Sequence, residues 1–261
     1  SAARAADRRA AFFATEPGFV ARTPGLRALA IGEQPAWEPA RWGATLERAP
    51  SLRAQLRRAH HKGVRVRRLD ATELGDGPTR PRIEALIARW HGGRRLPPMG
   101  FLVQVEAFSH AEERLCFVAE RDARVVGFLA AVPVYARGGW LFEDLLRDPE
   151  APSGTNELLF DAAMRAAADA GSDYATLGLA PLAGRVPWWL RFARATARGL
   201  FDFEGLAAWK KKLRPAAWTP VYLSYDPMQN TLLTLADALA AFAHGRLLSF
   251  AARSLFRLSL G

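Results

Sequence analysis

The chain has 261 residues, half of them hydrophobic and 24% charged, enough for one large core or two smaller ones. A formal net charge of +10 and a pI near 10.7 suit a polyanionic partner, either nucleic acid or an anionic bilayer, with an arginine-rich genome composition as the plain alternative. One cysteine, Cys116, excludes an intramolecular disulfide and a cysteine-based zinc site, and no uncharged apolar run approaches the roughly 18 residues that span a bilayer.

No secretory leader is read at the start. The chain opens on Ser1 rather than Met, so the expectation covers both a stand-alone domain and one once preceded by a membrane region. Residues 1–50 mix short helical stretches with Pro/Gly turns, and Leu26 to Ile31 reads as a strand. Leu46 to His61 reads as one helix stopped by Gly63, followed by an alternating strand, Val64 to Leu69. A second helix covers Arg80 to His91, with Ile83, Leu86, Ile87 and Trp90 on one face.

From there the elements alternate. Leu115 to Arg121 and Val125 to Tyr135 form a hairpin through Asp122-Ala-Arg124, and Trp140 to Leu146 is a third strand. Thr155 to Ala170 is a helix ending at Gly171, and Tyr174 to Ala180 a fourth strand. Pro187 to Ala197 is a further helix. Trp209 to Pro215 reads as a loop and Trp218 to Tyr225 as a final strand. Cys116, inside the apolar run Leu115 to Ala119, reads as a buried small hydrophobe.

The densest chemistry lies in FEDLLRDPEAPSGTN, Phe142 to Asn156. Carboxylates end an apolar strand, an arginine comes next, and a Pro/Gly loop opens a helix whose free N–H groups suit an anionic or carbonyl oxygen. On a strand, Glu143 and Asp144 point to opposite faces. Ser153 and Thr155 fit helix capping better than covalent catalysis. The histidines show no metal-binding spacing.

The order hairpin, strand, loop, helix, strand resembles the GNAT acyltransferase fold. The acidic, nearly glycine-free loop Asp148 to Gly154 suits the diphosphate of acetyl-CoA poorly. FEDLLRDPEAPSGTNELLF, LGLAPLAG (Leu177 to Gly184), WKKKLRPAAWTPVYL (Trp209 to Leu223) and LRAQLRRAHHKGVRV (Leu52 to Val66) together are similar to the C-terminal catalytic domain of bacterial aminoacyl-phosphatidylglycerol synthases. Phosphatidylglycerol lysyltransferases, or multiple peptide resistance factors, are the best-known of these.

The resemblance implies an α/β (α+β) chain of two tandem GNAT-like halves with mixed sheets flanked by helices. It divides into a degenerate N-terminal half at 1–110, an active half at 111–225, and a basic amphipathic helical tail at 226–261. It implies transfer of an amino acid, of lysine or alanine type, from aminoacyl-tRNA to phosphatidylglycerol or a similar lipid. No cofactor or metal is implied, and the chain would sit in the cytoplasm, peripheral at the inner face of the bacterial membrane.

Asp144 then matches the ammonium binder, with Arg147 orienting it or meeting the lipid phosphate and Lys212 neutralising phosphate or the oxyanion. Glu143, Asp148, Gly154, Asn156 and Lys210 join as substrate-binding positions. Arg53, Arg57, Arg58, His61 and Lys62 suit tRNA phosphates. Arg246, Arg253 and Arg257 face one side of a tail helix suited to an anionic bilayer. The plain alternatives are solvated helix faces and a surface ion-pair network among Glu143, Asp144, Arg147 and Lys212. Other readings of the function are a GNAT-like transferase with a different donor or acceptor, or a non-catalytic domain that binds RNA or anionic membrane.

Overall fold

The structure is a computed structural model and describes residues 8–75, 77–92, 107–196 and 202–242. Its nine strands are β1 (Ala11–Thr15), β2 (Arg27–Trp37), β3 (Arg65–Leu69), β4 (Leu115–Arg121), β5 (Arg124–Val134), β6 (Gly139–Arg147), β7 (Tyr174–Thr176), β8 (Ala180–Pro181) and β9 (Ala217–Tyr225). They form one sheet in the order β1-β9-β2-β7-β6-β5-β4-β3, with β8 beside β2. Every pairing is antiparallel except β6 with β7. Strands from both sides of the division expected between residues 110 and 111 share this sheet, and the first stretch supplies both of its edges.

Nine α-helices flank the sheet among the described residues: α1 (Pro17–Arg22), α2 (Trp42–Glu47), α3 (Pro50–His61), α4 (Ala71–Leu74), α5 (Thr79–Gly92), α6 (Thr155–Asp169), α7 (Trp188–Thr196), α8 (Phe203–Lys212) and α9 (Thr231–Phe242). On one face, α2, α3 and α6 cover Phe117, Leu129, Ala131 and Phe142. The Phe160 ring of α6 meets Trp37, Trp42 and Phe142 edge-on at 4.9, 5.2 and 5.4 Å. On the other face, α4 and α5 cover Cys116, Val118, Phe128, Ala130 and Leu146. The central strand β5 is therefore buried on both sides from Val125 to Ala131.

A third core lies at the far end of the sheet, where α7 and α9 cover Leu29, Ile31, Val221, Leu223 and Tyr225. Ile31 is the extra residue of a bulge in β2, so Leu29, opposite Leu223, and Pro35, opposite Trp218, look to opposite faces. The third core consequently shares the α5 face rather than the α6 face.

Local chemistry accounts for most boundaries. Asp122 and Ala123 turn the β4–β5 hairpin with φ of +50° and +59°, the primed turn that matches strand twist. Gly63 and Gly171 end α3 and α6 with paired reverse hydrogen bonds, Gly63 to His60 and Val64 to Ala59, then Gly171 to Ala168 and Ser172 to Ala167.

Four expectations are corrected. The helix expected over Leu46 to His61 is two helices, because Pro50 disfavours a helical Ala49 and opens α3 as its first residue. The strand expected over Tyr174 to Ala180 is two short strands, parted where Gly178 turns at φ +65°. The segment Trp209 to Pro215, expected as a loop, is helical through Lys212 and forms the last turn of α8. The strand expected over Leu26 to Ile31 is β2 and runs on to Trp37, since Pro35 falls in the break between the β8 and β7 pairings and needs no N–H there. In the expected tail, α9 is described, whereas Arg246, Arg253 and Arg257 lie outside the described residues.

Candidate functional site

The parallel pair β6–β7 lasts three residues: Gly139 opposite Tyr174, Trp140 opposite Ala175, and Leu141 opposite Thr176. Beyond it, Gly178 turns the chain toward β2, and β8 pairs there. Phe142 to Arg147 of β6 thus keeps β5 on one side, while on the other no strand pairs with it among the described residues. β6 and the Leu177–Leu179 segment thus part in a gap of the sheet pairing, where the backbone of β6 has no strand partner among the described residues.

Asp144 lies on the stretch of β6 that borders this gap, beside a bulge. Asp144 opposes Ala130 and Phe142 opposes Ala131, so Glu143 is the extra residue. The simple alternation expected for Glu143 and Asp144 therefore does not hold. Asp144 is half-buried on the α5 face, close enough to Cys116 to act on its thiol. Burial pushes that thiol up to about 12, with Asp144 adding to the rise and Arg114 and Arg68 opposing it, so Cys116 is the inert core residue its apolar run suggests.

Arg114 is the residue that sequence reasoning missed. It is half-buried, donating Nη1 to Glu143 Oε2 at 3.4 Å and Nη2 to Ser109 Oγ at 3.1 Å. Its Nε is buried without a partner among the described residues. In Glu112-Glu113-Arg114 it reads as an ordinary charged turn; only the pairing of β4, β5 and β6 brings it beside Glu143.

Arg147 opposes Gly127, whose neighbours are Leu159 and Thr155 of α6, so it lies on the α6 face. It cannot orient Asp144 as expected, because residues three apart on a strand point to opposite sides. Its contact there is a long one, from Nη1 to the Ala151 carbonyl at 3.5 Å. Lys212 shares that face and donates to Glu157 Oε1 at 3.2 Å. The same oxygen accepts Gln55 Nε2 at 2.9 Å and Trp209 Nε1 at 3.1 Å. Glu157, buried in the first turn of α6, was not foreseen; it ties α3, α6 and α8 together. Asn156 beside it is half-buried, and its Oδ1 is a buried acceptor with no partner among the described residues. One orphaned polar atom thus lies on each face next to β6, and such atoms mark places where a ligand group completes the bonding.

Three expected ligand positions are used by the fold instead. Asp148 is buried and accepts Arg89 Nε at 2.7 Å, Arg124 Nη2 at 2.9 Å and the Glu150 N–H at 3.0 Å, which latches α5 and β5 to the loop. Lys210 is buried, and its Nζ donates to the carbonyls of Leu177, Gly178 and Leu179 at 2.9, 3.0 and 2.9 Å. Burial brings its pKa down to about 7, whereas the three carbonyls use every ammonium proton and favour the charged form. Lys210 so fixes the Leu177–Leu179 segment beside the gap. Gly154, at φ +99°, packs where a Cβ would lie 3.0 Å from Ala59 Cβ and from the Gln55 carbonyl, so the start of α6 is closed by α3. Gly154 is also the N-cap, without a side-chain cap; Thr155 Oγ1 donates to the Pro152 carbonyl instead. The network expected among Glu143, Asp144, Arg147 and Lys212 gives way to the pairs Glu143–Arg114 and Lys212–Glu157.

Leu52, Leu56 and Ala59 of α3 enter the core, while Arg53, Arg57, Arg58, His61 and Lys62 are exposed. Among the described residues no cluster of His, Cys, Asp and Glu could hold a metal ion, and no helix is long and apolar enough to cross a membrane.

Residues 2–225 match the family described as phosphatidylglycerol lysyltransferase, C-terminal. Over 130 residues the chain is 28% identical to a phosphatidylglycerol lysyltransferase of Bacillus subtilis (strain 168), a stretch that is 46% of this chain and 15% of that protein. An uncharacterized protein of Corynebacterium glutamicum is 24% identical over 188 residues, 63% of this chain and 24% of that one. The chain therefore spans a fraction of the length of these relatives. Two solved structures share its fold. One is the C-terminal domain of a candidate lysylphosphatidylglycerol synthetase from Agrobacterium fabrum, with a TM-score of 0.70 and 23% identity over 92% of this chain and 74% of that one. The other is L-PGS from Bacillus licheniformis, with a TM-score of 0.69 and 21% identity over 90% of this chain and 73% of that one.

Proposed function

The chain belongs to the phosphatidylglycerol lysyltransferase C-terminal family, and from this we propose that it moves an amino acid, of lysine or alanine type, from aminoacyl-tRNA to a hydroxyl of phosphatidylglycerol or a similar membrane lipid. The observation that carries the reading is Asp144, beside the β6 bulge on the stretch that borders the gap. A half-buried carboxylate is the complement of the free ammonium on the aminoacyl group.

The donor ester is already activated, so alignment matters more than a strong nucleophile. The lipid hydroxyl oxygen bonds to the ester carbonyl carbon, the bond to the tRNA ribose oxygen breaks, and the hydroxyl proton ends on that ribose oxygen. Negative charge develops on the carbonyl oxygen in between, and Arg147 and Lys212 are the cations on the α6 face that would offset it or the lipid phosphate. Asp144 and these cations stand on opposite faces of the sheet, so the gap beside β6 is where one ligand would meet both. Asn156 Oδ1 is an acceptor for a donor of the same ligand. Exposed Arg53, Arg57 and Arg58 on α3 supply a phosphate-binding surface for the tRNA.

The test is transfer of label from charged tRNA into vesicles containing phosphatidylglycerol. Asp144→Asn should lower transfer about 100-fold or more while thermal stability and tRNA binding stay as they were. Near-normal transfer by that variant sinks the ammonium-binding role. Label that never reaches lipid from any charged tRNA, with both partners still bound, identifies a binding domain instead.

A further inference from the structure

The outer surfaces of α7 and α9 are apolar where a monomer's surface is ordinarily polar. Both helices use their inner faces on the third core, through Leu190 of α7 and Leu235 of α9. Trp188 and Phe192 are nonetheless 73% and 68% exposed, one helical turn apart on α7. On α9 the outward stripe is again apolar, with Leu232 and Leu239 exposed. Large apolar side chains exposed on the outward faces of two neighbouring helices in this way mark a docking site. Since α7 and α9 rest on the same core, their outer faces lie on one side of the molecule.

Charge selects the occupant. Arg185 and Arg191 are exposed around the α7 aromatics and form no ion pair among the described residues, and α7 has no acidic residue. The one acid of α9, Asp237, is taken by Arg9, whose Nε and Nη2 donate to it at 2.6 and 3.0 Å. Arg9 also holds the Asp237 carboxyl below its ordinary pKa, chiefly by that hydrogen bond. From residue 238 to the end, the sequence has arginines and no Asp or Glu. Exposed tryptophan and phenylalanine set among unpaired arginines match the boundary of an anionic bilayer, with its apolar interior and phosphate surface.

We propose that the outward faces of α7 and α9 form a surface that docks on an anionic bilayer, Trp188 and Phe192 entering the interfacial layer and Arg185 and Arg191 meeting lipid phosphates. The surface adjoins the reaction site: Leu179, from the segment beside the gap, packs on the same core as α7. Docking there brings lipid headgroups to the side of the sheet that carries Asp144. The proposal deepens the lipid-acceptor reading, but it is measured without aminoacyl-tRNA, so either can fail while the other stands.

The experiment is sedimentation of the 261-residue chain with phosphatidylcholine vesicles, with and without phosphatidylglycerol. Binding should require phosphatidylglycerol and weaken with salt. Trp188→Ser combined with Phe192→Ser should lower vesicle affinity about ten-fold or more, and so should Leu232→Ser with Leu239→Ser on the other helix. Arg185→Glu with Arg191→Glu should remove the preference for phosphatidylglycerol. Tyr135→Ser, which alters an aromatic 76% exposed outside the patch, should change nothing. Retained binding by folded variants of both helices overturns the proposal. It is equally overturned if the parent chain self-associates without lipid and the Trp188/Phe192 variant is monomeric, because the occupant is then a second copy.

Discussion

Burial by itself would raise the pKa of Asp148, yet the Glu150 N–H, Arg89 and Arg124 together outweigh it and hold the carboxyl below the ordinary carboxylate value. A carboxyl lowered on folding binds fewer protons in the native state than in the unfolded one. Its stabilisation is therefore complete above the unfolded value, near pH 4, and is lost as pH falls toward the folded value. Asp148→Asn should cost about 2 kcal/mol at pH 7, and its deficit relative to the parent should narrow as pH approaches 3. Chemical unfolding at pH 7, 5 and 3 reads this directly, and a deficit independent of pH would dismiss the carboxylate's role. Asp148 stands only four residues from Asp144 in the same motif. Their difference in fate was not legible there, since Arg89 lies 59 residues away in sequence.

At the scale of elements, the site depends on how strands and helices are spaced. Gly139 permits the parallel seam, because a Cβ there would come within 2.0 Å of the Tyr174 carbonyl oxygen. Gly154 sets the distance between α3 and α6, and its φ of +99° excludes an unstrained side chain. Gly154→Ala should destabilise the fold by about 2 kcal/mol and loosen the Gln55–Glu157 bond between these helices. A denaturation midpoint unchanged from the parent would contradict that packing. Helices such as Arg80 to His91 and Thr155 to Ala170 were readable from period and stop signals alone. The Tyr174 to Ala180 strand was not, because Gly178 could mark either a strand interior or a turn, and only the pairings with β6 and β2 decide it.

Across the whole molecule, the sheet separates charge from apolar surface. The basic outer side of α3 lies on the α6 face, and the apolar outer sides of α7 and α9 lie on the face that carries α5. Arg57→Glu with Arg58→Glu should weaken tRNA binding about ten-fold or more and reduce the slope of log affinity against log salt by about 2. Titrations at several salt concentrations measure both quantities, and an unaltered slope would place the RNA elsewhere. Vesicle binding should survive these changes, as the two surfaces belong to opposite sides.

By itself the sequence determined the helix and strand periods, the primed hairpin turn, the basic face of α3 and the family, all of which rest on neighbours close in the chain or on motifs read in order. Tertiary structure alone decided which partners the charged side chains meet. Lys210 is consumed by three carbonyls and Asp148 by two arginines, Glu157 and Arg114 come to border the site, and the β6 bulge sets Asp144 across the sheet from Arg147. The reason is physical. A charged side chain takes whichever partner the folded chain brings within about 3 Å, and these partners come from strands and helices far apart in sequence.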